Sequence, residues 1–394
     1  MKEGWQIKRL GEICEIARGG SPRPIQSYLT DDPNGVNWIK IGDTEVGGKY
    51  ICSTKERIKR EGIRSSRYVE VGDFLLSNSM SFGRPYILKV DGCIHDGWLV
   101  IKNYENTFIQ DFLYYLLLSP NVVKQFEEGA RGSTVRNLNT NIVSQTSVIV
   151  PSLSEQQRIV ALLDAEFAKI DVLKANAEKN LQNAKELFQA ALKKELEPKE
   201  GWNEKKIGEL FETGSGGTPL KMHKEYYEGG NIPWLRSGEV CKKYITETEL
   251  FITKLGLDNS SAKYFPSNTI VVAMYGATAG QVGILKIQTT TNQAVCGIFP
   301  NELYIPEFVY YSIQSKQENL VSQATGNAQP NISQIKIKNL SIPILPLSDQ
   351  QSIVARLDTL DEKCKVLQAN YEKTLSLCDD LKQALLRKAF NGEI

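Results

Sequence analysis

Along residues 155 to 196 and 349 to 390 the apolar positions step by threes and fours, without an internal glycine or proline. In the first stretch the series is Val160, Leu163, Phe167, Ile170, Leu173, Ala177, Leu181, Ala184, Phe188 and Ala191. In the second it is Ile353, Leu357, Leu360, Cys364, Leu367, Tyr371, Leu375, Cys378, Leu381 and Leu385. A mean step close to 3.5 predicts two long helices whose single apolar stripes need a partner helix, as in a coiled coil. Each would extend about 60 Å at 1.5 Å per residue. Ser154 and Ser348 are N-cap candidates, with Gln157 and Gln351 placed as in a capping box.

The two stretches are copies of one another. They align without a gap, close to half of their positions are identical, and "PSLSEQQRIV" is answered by "LPLSDQQSIV". The likeness continues upstream: "GWQIKRLGEI" answers "GWNEKKIGEL", "GGSP" answers "GGTP", and "FLYYLLLS" answers "FVYYSIQS". A long internal repeat sets the architecture before any local reading. Its boundaries fall at residues 1–150, a first domain; 151–199, a first long helix; 200–345, a second domain; and 346–394, a second long helix.

Inside the domains the pattern changes period. "YVEVGDFLLS", "PYILKV", "GWLVIK", "NTIVVAMYG" and "VGILKI" are β-branched or alternating, as strands are, while "IQDFLYYLLLSPNVVKQFEEG" and "IPEFVYYSIQSKQENLVSQATG" read as short helices. The expected fold class is therefore mixed α/β: two similar domains and two long coiled-coil helices, related by an internal pseudo-two-fold repeat.

Composition narrows the function. A length of 394 residues exceeds one hydrophobic core. No apolar run reaches the length of a bilayer span and the first residues lack a signal-peptide core, so the expected location is the cytoplasm, with no membrane partner. Seven cysteines without a C-x-x-C pair fit reduced thiols, and two histidines leave little material for metal or Ser-His chemistry. No phosphate loop, dinucleotide fingerprint, nucleophile elbow or zinc-protease motif occurs, so catalytic and metal residues are expected to be none. The net charge of +1 conceals an asymmetry: ten of fourteen arginines lie in residues 1 to 150, and residues 200 to 345 hold only Arg236.

Gly- and Pro-punctuated loops carry the polar diversity. Arginine forks match guanine O6/N7, and amides match adenine N6/N7 in the major groove. Composition alone neither demands nor excludes DNA; if the partner is DNA, the candidate DNA-binding residues in these loops are Arg18, Ser21, Arg23, Arg84, Arg131, Ser133, Arg136 and Asn137 in the first domain, and Ser215, Thr218, Lys221, Tyr275, Thr278, Gln281, Asn327, Gln329 and Asn331 in the second. His95 and Trp98 read instead as a turn and a core aromatic, and the run Arg57, Lys59, Arg60, Arg64, Arg67 as a solvated face, with phosphate tracking as its second reading. Apolar residues off the helical seam, Leu162, Val172, Val366 and Leu386, are candidates for docking partner helices.

The order domain, helix, domain, helix, the paired "GG[ST]P" loops, the duplicated helix starts and the closing "LLRKAFNGEI" resemble the specificity subunit of type I restriction–modification systems, over essentially the whole chain. That resemblance implies two target recognition domains, each reading one half of a split, asymmetric double-stranded DNA sequence. It implies antiparallel helices separating the readers, and docking of modification subunits (two) and restriction subunits (two). The chain itself would carry no cofactor; S-adenosylmethionine would sit in the modification subunit, and ATP and magnesium in the restriction subunit. The assembled complex would be an adenine-specific methyltransferase and ATP-dependent endonuclease. Two other readings stay open at this point: an enzyme acting alone, and a coiled-coil adaptor whose domains bind protein or carbohydrate.

Overall fold

The computed structural model describes residues 3–45, 47–78, 82–130, 137–322 and 331–394. The chain divides into two compact units, residues 1–178 with 372–394 and residues 179–371. Each unit therefore holds one domain and a part of both long helices, Leu153–Leu196 and Leu347–Asn391.

In the first unit an inner sheet runs in the order Glu15–Arg18, Trp98–Lys102, Phe74–Ser77, Pro85–Leu88, Tyr50–Ile51, antiparallel except for its last pair. An outer sheet runs Leu29–Thr30, Glu56–Ile58, Val36–Ile39, Gly92–Ile94, Arg67–Val69. Alternation assigns the inner sheet's faces. Leu75 and Val100 meet Ile39, Val69 and Ile94 between the sheets, whereas Phe74, Leu76, Leu99 and Ile101 pack with Phe112, Leu116, Ile159 and Leu163 of the helices. The second unit repeats this frame. Its inner sheet is Thr213–Ser215, Val295–Ile298, Ile270–Ala273, Val282–Leu285, Tyr244–Ile245, and its outer sheet is Leu250–Ile252, Ile232–Leu235, Thr289–Thr291, Tyr264–Phe265. Among the described residues the first unit's outer sheet has one more strand, Leu29–Thr30.

The helix starts differ from the capping-box expectation. Each helix begins one residue before the expected serine cap, and the Glu155 amide meets the Ser152 hydroxyl at 3.3 Å. The repeated first glutamine has another task. Gln156 is fully buried; its Oε1 accepts from the Ile109 amide at 2.8 Å, and its Nε2 donates to the Thr107 and Pro151 carbonyls at 2.8 and 3.0 Å. Gln350 repeats the set with Ile305, Leu303 and Leu345 at 2.9 Å each. Every polar atom of both amides that faces the chain is satisfied, which is what makes a buried glutamine tolerable.

A second repeated device ties domain to helix. Tyr115 donates to Asp164 on the first long helix, and Tyr311 to Asp358 on the second. Beside them Lys49 lies over the rings of Tyr50, Tyr114 and Tyr115, and Lys243 over those of Tyr244, Tyr310 and Tyr311. Burial raises both tyrosines Tyr115 and Tyr311 well above the usual phenol range, and their carboxylate partners push the same way.

Within each unit the long helices pair antiparallel, as the crossed ion pairs Lys174–Asp379 and Lys382–Asp171 show in the first. The seam is narrower than the 3.5-residue step suggests. Ile170, Ala177, Ala184, Cys364 and Cys378 are buried, but Leu173, Leu367 and Leu381 are exposed. A straight helix turns 3.6 residues, so the buried position drifts onto the half-buried Lys174 and Lys382, whose ammonium groups reach carboxylates of the opposite helix. Leu386 is also corrected. It is 2% exposed, inside the first unit's own core with Ala389 and Phe390, and is not free to dock a partner.

Candidate nucleic-acid interface

The G-G-[ST]-P loops follow the first strand of each inner sheet, where the chain passes against the turn that opens the strand beside it. A side chain on Gly19 would bring a Cβ to 2.1 Å from the His95 carbonyl oxygen, and one on Gly216 to 2.0 Å from that of Thr291. Glycine is required by that contact. The Gly20 amide then donates to the Ile94 carbonyl at 3.1 Å, and the Gly217 amide to the Thr291 carbonyl at 2.9 Å. The loop hydroxyl that follows is carried to a turn residue absent from the sequence-based candidates. Ser21 Oγ donates to Asp96 Oδ1 at 2.9 Å, and Thr218 Oγ1 donates to Gln293 Oε1.

Two further segments join each loop pair. In the first unit the Asn78 amide donates to the Gly97 carbonyl at 3.0 Å, and the Leu138 amide to the Asn78 carbonyl at 2.8 Å. In the second, Met274 and Ile332 make the equivalent bonds to Ala294 and Met274, both at 2.8 Å. The outcome is a four-segment polar cluster at corresponding places in both units. Asn78 Nδ2 and Arg18 Nε both donate to the Asp96 carbonyl, at 2.9 and 3.2 Å. Arg23, 85% exposed, lies 3.9 Å from the Asp96 carboxylate, and Arg67 donates to the Arg18 carbonyl. The Ser21 hydroxyl holds Asp96 below the usual carboxylate range, against partial burial, and the Asp96 backbone amide, His95 and Arg18 act with it. Asp96 is thus an anion among guanidinium groups.

In the second unit an amide, Gln293, stands where the first has the Asp96 carboxylate. Tyr275 bridges to Asn331, Thr278 Oγ1 donates to the Ser237 carbonyl, and Gln281 is exposed. Thr218, Lys221, Tyr227, Trp234, Asn292 and Gln293 line a groove there. Arg236, the domain's one arginine, is held by Glu239 and Glu249.

The structure thus gathers Arg18, Ser21 and Arg23 in the first unit, with Asn137 exposed next to Leu138, and Thr218, Lys221, Tyr275, Thr278, Gln281 and Asn331 in the second. Arg84 is set apart: half-buried, its guanidinium lies 5.7 Å from the Tyr86 ring centre, so it packs instead of pointing to solvent. Ser215 is engaged with Gln334 at 3.3 Å. Arg131, Ser133, Arg136, Asn327 and Gln329 lie outside the described residues. Asp96, Asn78, Asn292 and Gln293 were not among the sequence candidates. The signal existed, since Asp96 stands from Gln293 at the same separation as Ser21 from Thr218, but "HDGW" and "NQAV" share no letter at matched positions. Trp98 is buried in the core, and His95 sits in a turn with Nδ1 2.6 Å from the Gly97 amide, as expected.

A second repeated surface lies on the helices. Val172 and Val366 are 63% and 60% exposed, Leu173 and Leu367 are exposed beside them, and Leu187 and Leu381 are exposed as well; each pair is identical at corresponding positions of the two helices. Leu162 is half-buried.

Two copies of one α/β frame, with divergent polar loop clusters and helical segments identical at close to half of their positions, define a duplicated recognition protein. Residues 2–183 and 199–375 each match the family described as the type I restriction modification DNA specificity domain, and the chain belongs to that family. It is 28% identical over 270 residues to the EcoR124I/EcoR124II specificity subunit of Escherichia coli, covering 65% of this chain and 64%, just under two thirds, of that relative. It is 24% identical to the EcoBI specificity subunit of Escherichia coli, over 100% of this chain and 86% of the relative. Among solved structures, a chain from a study of complex assembly and conformational transition of the type I R-M system superposes with a TM-score of 0.82 at 21% identity, covering 100% of this chain and 99% of that one. The HsdS subunit from Thermoanaerobacter tengcongensis does so with a TM-score of 0.62 at 21% identity, covering 100% and 98%. No described helix is long and apolar enough to cross a membrane.

Proposed function

We infer that this chain is the DNA-reading subunit of a type I restriction–modification complex, recognising a split, asymmetric target in double-stranded DNA. One observation carries the reading: the helical segments repeat with close to half of their positions identical, while corresponding loop positions hold different hydrogen-bonding groups, Asp96 in one unit and Gln293 in the other. A two-fold dimer is bound to a palindrome because its half-sites must match. A single chain with two diverged readers is free of that constraint.

Phosphate contacts supply much of the affinity for DNA, and a net charge of +1 is modest for the task. Partner subunits would supply the rest. The exposed apolar pairs Val172/Val366, Leu173/Leu367 and Leu187/Leu381 fit docking of one kind of partner at two equivalent places, hence two modification subunits. Two restriction subunits complete the assembly. The chain's own task is recognition; S-adenosylmethionine belongs to the modification subunits, and ATP and magnesium to the restriction subunits. Its place is the cytoplasm, with chromosomal DNA.

The test is equilibrium binding of duplex DNA by the chain together with its modification subunits, at several salt concentrations and against excess competitor. A DNA reader gives competitor-resistant binding that weakens steeply with salt. An adaptor for protein or carbohydrate gives no such duplex binding.

A further inference from the structure

Asp96 and Gln293 occupy one structural position in two copies, yet they offer different groups. Each is held by the hydroxyl that follows the paired glycines, Ser21 in the first unit and Thr218 in the second. The hydroxyl donates to one oxygen and so fixes the side chain without consuming its remaining capacity. Asp96 keeps Oδ2 and further lone pairs, all of them acceptors. Gln293 keeps the two Nε2 protons as donors and a lone pair on Oε1. Both side chains reach solvent: that of Asp96 is 49% exposed, and Gln293 is exposed at the edge of the groove.

The surroundings explain how an anion suits a DNA-facing surface. Arg18, on the Asp96 carbonyl, and Arg23, 3.9 Å from its carboxylate, set two guanidinium groups against one carboxylate, and Arg67 adds a third cation on the Arg18 carbonyl, so the local charge still attracts phosphate. The carboxylate itself repels phosphate and base acceptors and rewards an amino group. In the second unit the corresponding amide is neutral and satisfies a base edge offering one acceptor and one donor side by side, the pattern of adenine N7 and N6.

We propose that Asp96 and Gln293 are the corresponding base-reading residues of the two half-sites. Asp96 accepts from an exocyclic amino group, cytosine N4 or adenine N6, while Gln293 donates to adenine N7 and accepts from its N6. Ser21 and Thr218 are the positioning residues that aim them. This rests on the chain being a DNA reader, and it names where the two readers diverge.

The test is mapping of modified bases in cells whose complex carries Asp96→Ala, Asp96→Asn or Gln293→Glu, beside the unaltered chain. The unaltered chain must first give a split motif; if it gives none, the DNA-reading function itself fails, independently of these two residues. Given the motif, Asp96→Ala relaxes one position of one half-site, a cytosine or an adenine, and the identity of that base distinguishes the two amino groups. Asp96→Asn shifts the same position toward adenine. Gln293→Glu changes one adenine of the other half-site toward cytosine. In each case the second half-site and the gap stay as they were. A motif retained at every position, or uniform loss of modification from a complex that still assembles, overturns the proposal. Binding of the unaltered complex to duplexes carrying 7-deazaadenine at each adenine of the motif serves as a check that needs no altered protein. One position of one half-site should weaken binding about tenfold, the size of a lost bidentate contact. No sensitive adenine in either half-site overturns the Gln293 assignment.

Discussion

The two units share a frame and differ in how their loops are charged. In the first, Arg18 and Arg23 flank an ionised Asp96, and Arg67 holds the Arg18 carbonyl. In the second, the equivalent cluster is built of hydroxyls and amides with one lysine, Lys221, and Arg236 is neutralised by Glu239 and Glu249. Both clusters rest on the same backbone bonds, from the glycine loop to the turn and from the turn to the hairpin. Specificity can therefore change by substitution at loop positions while the scaffold stays fixed, because the bonds that hold the loops are made by backbone amides and carbonyls. The same contrast gives ways to break or sharpen it.

The largest effect is expected where the units are alike. Replacing Gln156 or Gln350 with Leu strands one buried amide and two carbonyls, costing about 3–5 kcal/mol in either unit. Denaturant unfolding of both variants measures it, and unequal losses would show that the two helix starts are not equivalent.

The second glycine of the loop separates the units. A Cβ on Gly217 would lie 2.2 Å from Ser261 Oγ and 2.4 Å from the Ala262 nitrogen, while one on Gly20 comes no nearer than 3.3 Å to the Ser65 carbonyl. Gly217→Ala should cost about 2–4 kcal/mol and Gly20→Ala less than about 1 kcal/mol. Thermal melting of the two variants gives the comparison.

The lysine–tyrosine clamps differ in their ion pairs. Lys243 reaches Asp358 on the long helix, whereas Lys49 reaches Asp111 on the domain's own helix. Lys243→Met should destabilise by about 1–2 kcal/mol and Lys49→Met by about 1 kcal/mol or less, since only the first removes a tie between domain and helix. Both clamps are expected to fail in alkali. Tyr115 and Tyr311 have folded pKa values above the free value of about 10, so their stabilisation is complete below pH 10 and is lost as pH rises beyond it. Unfolding followed between pH 8 and pH 12 checks the sign, and Tyr115→Phe with Tyr311→Phe should flatten the curve.

The smallest effect belongs to the helix pair. Lys174–Asp379 and Lys382–Asp171 are exposed crossings, so Asp379→Asn or Asp171→Asn should cost at most about 0.5 kcal/mol at low salt and nothing measurable near 1 M salt.

Much of this fold was legible because repetition is a property of letters. The long helices, the mixed α/β domains and the glycine loops all appear in strings that recur. What stayed hidden depends on side-chain direction. Leu173 and Leu367 look like seam residues at a 3.5-residue step, but they are exposed, and the half-buried Lys174 and Lys382 reach across to the other helix instead. Gln157 looks like part of a cap, but it is the neighbouring Gln156 whose amide is tied down, inward to a strand-to-helix turn many residues away in sequence. Leu386 looks like a spare apolar residue until the first unit closes over it. Asp96 and Gln293 escaped because an acid and an amide in dissimilar strings become equivalent only when the flanking strands are superposed. Chemistry suggested residue types for a candidate interface, and three-dimensional placement separated them, setting Arg84 against Tyr86 and Ser215 against Gln334.

The central claim is that one chain carries two unlike readers of one DNA target. Mapping modified adenines genome-wide, with and without this chain, tests it most directly. The account predicts a motif of two different half-sites separated by a fixed run of unspecified bases, disappearing when the chain is removed. A contiguous or palindromic motif, or one that persists without the chain, would contradict it.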